Sequence, residues 1–142
     1  MTSLTGGTSY TFRLFARNIH GWSASSSELI VVASGIPATP AAPTTLLQSS
    51  DVRITWLTPA NNYATITAYK VFIKNSVGNY LEETTYCDAS RDPVFSNLYC
   101  LVPMSHLRNS YGLPYDTLIE VIVQAYNING WSPLSSANTE GV

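Results

Sequence analysis

The sequence predicts an all-β fold: one complete antiparallel β-sandwich, preceded by the C-terminal part of another. Three observations predict it. First, Ala16-Arg-Asn-Ile-His-Gly-Trp-Ser23 returns 109 residues later as Ala125-Tyr-Asn-Ile-Asn-Gly-Trp-Ser132, with six of the eight positions identical. Second, short segments with an apolar residue at every other position run through the chain, the pattern of half-buried strands. Third, turn-forming residues separate these segments at strand spacing, and no stretch reads as a helix of three turns.

The repeat sets the domain organisation. About 100 residues make one sandwich domain, and the offset is too long for a helical solenoid. The chain therefore reads as a piece of a tandem array. Residues 1–36 supply the last strands of one domain, residues 37–43 a proline-rich linker, and residues 44–142 a complete domain.

In chain order, Tyr10, Phe12, Leu14 and Ala16 alternate with Thr11, Arg13, Phe15 and Arg17 to form the first strand. Asn18-Ile-His-Gly21 turns it, since Asn and Gly tolerate positive φ. A Ser-rich return strand follows. The linker holds Pro37, Pro40 and Pro43, which stiffen it and exclude it from a central strand. Val52, Ile54 and Trp56 then share one strand face. Ile66, Tyr69, Val71 and Ile73 carry the next strand, Tyr80 to Cys87 another, and Leu98 to Val102 another. Residues 105–110 have room for at most a short helix. Ile119, Val121, Val123 and Ala125 mark the last long strand, turned by Asn127-Ile-Asn-Gly130. The expected core is Ile54, Trp56, Val71, Val121 and Val123.

These residues resemble the fibronectin type III family. Ile54-Thr-Trp56 followed by Pro59 is similar to its second strand, and Ile66-Thr-Ala-Tyr69-Lys-Val71 to its third. Leu4-Thr-Gly-Gly-Thr8-Ser-Tyr10 is similar to its tyrosine corner, and the repeated Asn-x-x-Gly stretch to its final hairpin. The resemblance implies an immunoglobulin-like sandwich. In the complete domain the corner is replaced: Ile119 stands where Tyr10 stands, leaving Tyr111 or Tyr115 to reach across. The Cys-x-Val-Pro-Met stretch beginning at Cys100 resembles repeats in large surface proteins of ciliates and other protists. The Arg-Gly-Asp of integrin-binding members is absent.

Composition excludes several classes. Charged residues make up 11% of the chain and net charge is −2, which leaves no electrostatic case for nucleic acid. No apolar run is long enough to span a bilayer, and residues 1–10 do not read as an export signal. Cys87 and Cys100 enclose an irregular 12-residue loop, and the expected state is a disulfide, the alternative being two buried thiols. His20 and His106 read as surface turn residues outside any triad. Asp88 and Asp92 match no calcium loop. Glu82 and Glu83 point to opposite faces and form no acid–base pair. No phosphate loop and no N-glycosylation sequon is present. Thr39, Thr44 and Thr45 lie in a composition that suits O-glycans and equally makes a plain stiff linker. Trp22 and Trp131 suit either core burial or contact with a neighbouring domain.

The expected function is a non-enzymatic structural or adhesive module of an extracellular or cell-surface array, without a cofactor. Its partners are neighbouring copies or other protein chains, with possible O-glycans, no nucleic acid, and no membrane insertion in this segment. The alternatives are a ligand-binding module reading protein or glycan through residues 61–63 and 128–129, and a non-catalytic module appended to an enzyme. Residues 1–33 cannot bury a core alone, so something is expected to cover them: a neighbouring chain or upstream strands.

Overall fold

The computed structural model describes residues 4–142, and Met1–Ser3, the start of the expected first segment, lie outside that range. The amino-terminal piece contains β1 (Ser9–Phe12), β2 (Arg17–Asn18), β3 (Gly21–Trp22) and β4 (Leu29–Val32). β1 pairs antiparallel with β4, and β2 with β3. The complete domain begins with β5 (Thr44–Gln48) and β6 (Asp51–Thr55), followed by β7 (Ala68–Lys74) and β8 (Tyr80–Glu82). A short turn of helix, α1 (Val94–Asn97), precedes β9 (Tyr99–Pro103). Then come α2 (Met104–Tyr111), β10 (Val121–Asn127) and β11 (Gly130–Trp131).

Two sheets form the sandwich. One is β5-β6-β9, the other β11-β10-β7-β8, and every pairing is antiparallel. Period-two burial follows directly from the strand pleat. In β6, Val52 and Ile54 are fully buried and Trp56 continues the same face, against Val71 and Ile73 of β7 and Val121 and Val123 of β10. Trp56 and Tyr69 meet at 5.9 Å between ring centroids. Cys87 and Cys100 are joined by a disulfide with Cα atoms 5.2 Å apart.

The structure explains why the repeat contains serines. On the side of β10 facing the return segment, side chains take backbone protons. Val121 N–H donates to Asn138 Oδ1, Val123 N–H to Ser135 Oγ, and Ala125 N–H to Ser132 Oγ, at 2.8, 3.0 and 3.1 Å. Leu14 N–H and Ala16 N–H make the same bonds to Ser26 and Ser23, each at 3.0 Å. Each of these serines donates its own hydroxyl proton to the next carbonyl. The return is thus a serine-pegged segment and not the regular strand expected. β10 stays continuous because β7 pairs with its other edge. The equivalent strand in the first piece breaks after Phe12 because none of the described residues pairs with that edge.

Three expectations need correction. The strand expected through Cys87 stops at Glu82. The Glu83 carboxylate accepts the N–H groups of Thr85 and Tyr86, at 2.8 and 2.9 Å, which curls the chain into a turn. Thr44 and Thr45 belong to β5 and not to a linker. The linker itself is packed: Pro37, Pro40 and Pro43 are all buried.

Candidate functional site

The residues that carry information beyond the core lie in two places: the junction between the amino-terminal piece and the complete domain, and a polar cluster beneath α2.

The junction is built from asparagines. Asn127 ends β10 and is fully buried. Its Oδ1 accepts Asn129 N–H at 2.9 Å, the same Asx turn that Asn18 makes with His20 N–H at 2.9 Å. Its Nδ2 donates to the carbonyls of Gly35 at 2.8 Å and Asn61 at 3.1 Å. Asn129 Nδ2 donates to Ser34 Oγ and the Gly35 carbonyl at 3.0 and 3.1 Å. Asn62 Nδ2 donates to the Ile36 carbonyl at 2.8 Å, and Gly35 N–H returns a bond to Asn62 at 2.9 Å. The loops at 61–63 and 127–129 therefore grip residues 34–36.

Asn62 and Tyr63 have φ of 47° and 66°. Asn enters this left-handed region at modest cost, whereas a Tyr there is strained. The strained backbone sets the Tyr63 ring against Gly6 and Gly7. A Cβ added to Gly6 would lie 2.8 Å from the ring, and one added to Gly7, at φ 78°, would lie 2.6 Å from it. Glycine at both positions permits this approach. Beside this contact, Tyr10 makes the corner bond, its hydroxyl accepting Thr5 N–H at 2.8 Å.

In the complete domain neither Tyr111 nor Tyr115 restores that corner. Tyr111 instead donates its hydroxyl proton to the Glu83 carboxylate at 2.7 Å, below α2. His106 Nε2 is 2.9 Å from the same carboxylate, and Ser110 Oγ is 3.2 Å from His106 Nδ1. Because the carboxylate only accepts, Nε2 carries the proton. Tyr86 packs edge-on against the imidazole at 4.9 Å. Burial pushes the Glu83 carboxyl up, but the bonds from Tyr111, Tyr86 N–H, His106 and Thr85 N–H outweigh it and hold it below its ordinary value. Burial, with the Glu83 carboxylate beside it, pushes the Tyr111 phenol well up. His106 is thus no surface turn residue: it sits on α2, half-buried against Glu83. His106 and Tyr111 stand 23 and 28 residues from Glu83 in sequence, which hides the cluster from any local pattern. The one available signal was a glutamate, Glu83, next to a Thr-rich strand end, opposite the position where the corner was replaced.

The remaining expected residues fall elsewhere. His20 is exposed in its turn. Glu82 is exposed and pairs with Lys70 at 2.9 Å, on the face opposite Glu83. Asp88 bonds Ser90, and Asp92 bonds Ser96. Thr39 and Thr44 are exposed, whereas Thr45 is buried and Val142 N–H donates to its hydroxyl at 3.3 Å. Thr45 is therefore no glycan acceptor in the folded domain, a correction that follows from its inward place on β5. Trp22 is 68% exposed under the Arg17 guanidinium. Trp131 packs at a tilt against Tyr126, 4.9 Å between ring centroids, with Lys70 over its ring. Trp131 stays outside the core of the complete domain, beside Lys70 on the outside of its hairpin, so the core reading is corrected for it.

No family model and no curated protein sequence matches the chain. Solved structures do. The titin kinase with its flanking domains is similar over 75% of this chain and 17% of its own, at 20% identity and TM-score 0.54. Titin domains A168-A170 are similar over 93% of this chain and 41% of theirs, at 19% identity and TM-score 0.54. The FN1-FN3 domains of chicken CNTN1 are similar over 94% and 42%, at 19% identity and TM-score 0.52. The chain spans less than half the length of each. The two broader matches reach beyond the share that residues 44–142 make up, so they include part of the amino-terminal piece. At this identity the likeness establishes the fold: an all-β sandwich of the fibronectin type III and immunoglobulin-like kind.

Proposed function

We propose that this chain is a structural or adhesive module from a tandem array of sandwich domains at a cell surface or in an extracellular filament. The observation that carries the reading is the junction. The end loops are tied, through Asn62, Asn127 and Asn129, to residues 34–36 of the same chain, and the Tyr63 ring lies against Gly6 and Gly7. That grip, with three buried prolines after it, limits bending between successive modules. The Cys87–Cys100 disulfide supports an oxidising compartment, and Thr39 and Thr44 are the accessible positions for O-glycans. The partners in this reading are neighbouring modules of the same kind. No catalysis and no cofactor is assigned to the chain. Ser110, His106 and Glu83 are linked by hydrogen bonds, and the Ser110 backbone lies inside α2.

The test is the coding sequence upstream of this segment, together with the protein isolated from its source. Further copies at 109-residue spacing and a protein with the disulfide formed are the expected outcome. A catalytic domain directly adjoining, without further copies, favours the appended-module reading. Turnover in a broad hydrolase and transferase screen, lost on changing one polar side chain here, overturns the proposal.

A further inference from the structure

The hairpin that grips the linker contains a reactive dipeptide. Asn129 is followed by Gly130, whereas each of the other asparagines is followed by a residue with a side chain. An asparagine side chain is long enough for its carbonyl carbon to meet the backbone nitrogen of the next residue. Glycine leaves that approach open, having no Cβ beside the nitrogen and a free choice of φ. Asn129 is exposed to water, and Gly130 has a φ of 131°.

The bend itself does not need this asparagine. In the first copy the same turn holds His20 before Gly21, whose φ is 134°. In both copies the Asx turn is made by the earlier asparagine, Asn18 or Asn127. What Asn129 adds is a hold on the linker. Its Nδ2 donates to Ser34 Oγ at 3.0 Å and to the Gly35 carbonyl at 3.1 Å. Next to these bonds, Gly35 N–H donates to the Asn62 carbonyl at 2.9 Å. The side-chain amide that holds the linker is therefore the one that the glycine leaves open to attack.

We propose that Asn129 is a site of spontaneous deamidation, and that its conversion loosens the junction. The Gly130 backbone nitrogen attacks the Asn129 side-chain carbonyl carbon. The new C–N bond forms as the bond to Nδ2 breaks, and the amide leaves as ammonia with the proton of the Gly130 N–H. Water then opens the five-membered succinimide at either carbonyl, which gives aspartate or isoaspartate. Both products carry a carboxylate, which only accepts, in place of a donor. A carboxylate facing the Gly35 carbonyl sets acceptor against acceptor, so that bond is lost. Isoaspartate also adds a carbon to the main chain inside the hairpin that pairs Asn127 with Gly130. The two native bonds restrain the amide, so the reaction proceeds while the junction is open, and afterwards the junction no longer closes as before. The inference rests on the junction bonds and not on the array reading, so either can fail alone.

The test is storage of the 1–142 segment in mildly alkaline buffer, followed by digestion and mass spectrometry. The peptide containing Asn129 should gain the mass difference between an amide and an acid ahead of every other asparagine, and should split into two chromatographic forms. Asn129→His, the residue of the first copy, should abolish the gain. Hydrogen exchange then reads the consequence. Aged protein, separated by anion exchange on its added negative charge, should exchange the Gly35 N–H about two- to ten-fold faster than fresh protein, the scale of one lost neutral hydrogen bond. Asn129→Asp should do the same, and if only the aged protein responds, isoaspartate is the releasing product. No gain at this peptide overturns the proposal, as does a gain that persists in Asn129→His and so comes from another asparagine. Gly35 exchange unchanged in the aged protein overturns it as well.

Discussion

Glu83 is the residue whose environment departs furthest from what its type suggests. It is a carboxylate at 2% exposure, and it persists as one because four donors converge on it. Its folded value is held below its unfolded value. Its stabilising contribution is therefore complete above the ordinary carboxylate range and is lost as pH falls through the folded value. Stability measured by urea unfolding should decline on acidification below about pH 4.3, and Glu83→Gln should flatten that decline. Asp88 and Glu120, whose values are also lowered, leave a residual slope. A Glu83→Gln profile parallel to the parent refutes the assignment. Tyr111→Phe removes one donor and keeps the ring, and should cost about 1.5–3 kcal/mol, the worth of a hydrogen bond to a charged group. Trp56 is the apolar counterpart. It fills the centre of the sandwich at 1% exposure, although its indole N–H has no hydrogen-bond partner among the described residues. Trp56→Ala should cost roughly 3–5 kcal/mol, most of the stability of a small domain. A variant melting within a few degrees of the parent overturns that assignment.

At the scale of elements, helix α2 and the disulfide together replace a conventional strand corner. The corner of the first piece is one hydroxyl on one amide. In the complete domain the same connection is an eight-residue helix with Leu107 and Tyr111 buried, held to the segment after β8 through Glu83. The Cys87–Cys100 bond ties that segment's far end to β9. Closing its loop is worth roughly 3 kcal/mol by the unfolded-chain entropy model. Reduction should lower the denaturation midpoint accordingly, and two alkylatable thiols in the unreduced native protein would sink the assignment. The serine pegs give a second prediction at this scale. Ser135 sits in a buried bond to Val123 N–H, so Ser135→Ala strands that donor and should cost about 1–3 kcal/mol. Ser26 makes the same bond in an exposed hairpin, where water takes over, so Ser26→Ala should stay within about 0.5 kcal/mol. Equal costs would show that the pegs do not act by satisfying buried backbone.

For the molecule as a whole, the two copies of the repeat differ in what covers them. In the complete domain Val121, Val123 and Ala125 are fully buried. Their counterparts 109 residues earlier include Phe12 at 51% and Leu14 at 75% exposure, and Leu29 and Val31, which pair with Phe12 and Tyr10 on the same face, also lie open. Such a continuous apolar face with free strand edges favours association. Expressed by themselves, residues 1–142 should therefore self-associate with rising concentration, whereas residues 34–142 should remain monomeric and melt at nearly the same temperature. Sedimentation of both decides it, and a 1–142 segment that stays monomeric at all concentrations shows that the face needs no cover.

The sandwich class, the strand faces and the inward position of Ile54, Trp56, Val71, Val121 and Val123 were legible in the sequence. Local alternation and a 109-residue repeat encode them, and burial of a period-two face needs no knowledge of distant residues. The cysteine pairing was legible for a different reason, since only two cysteines exist. What tertiary structure alone decided lies where a side chain replaces backbone or where distant loops meet. Serine hydroxyls stand in for strand carbonyls, Glu83 ends β8 early and gathers His106 and Tyr111, Thr45 turns inward, and Trp131 stays outside the core. The asparagine grip on residues 34–36 joins positions more than 90 residues apart. Periodicity reports which face of a strand is buried. It carries no information about which remote polar group will satisfy a given donor, because that pairing is fixed only when the sheets pack.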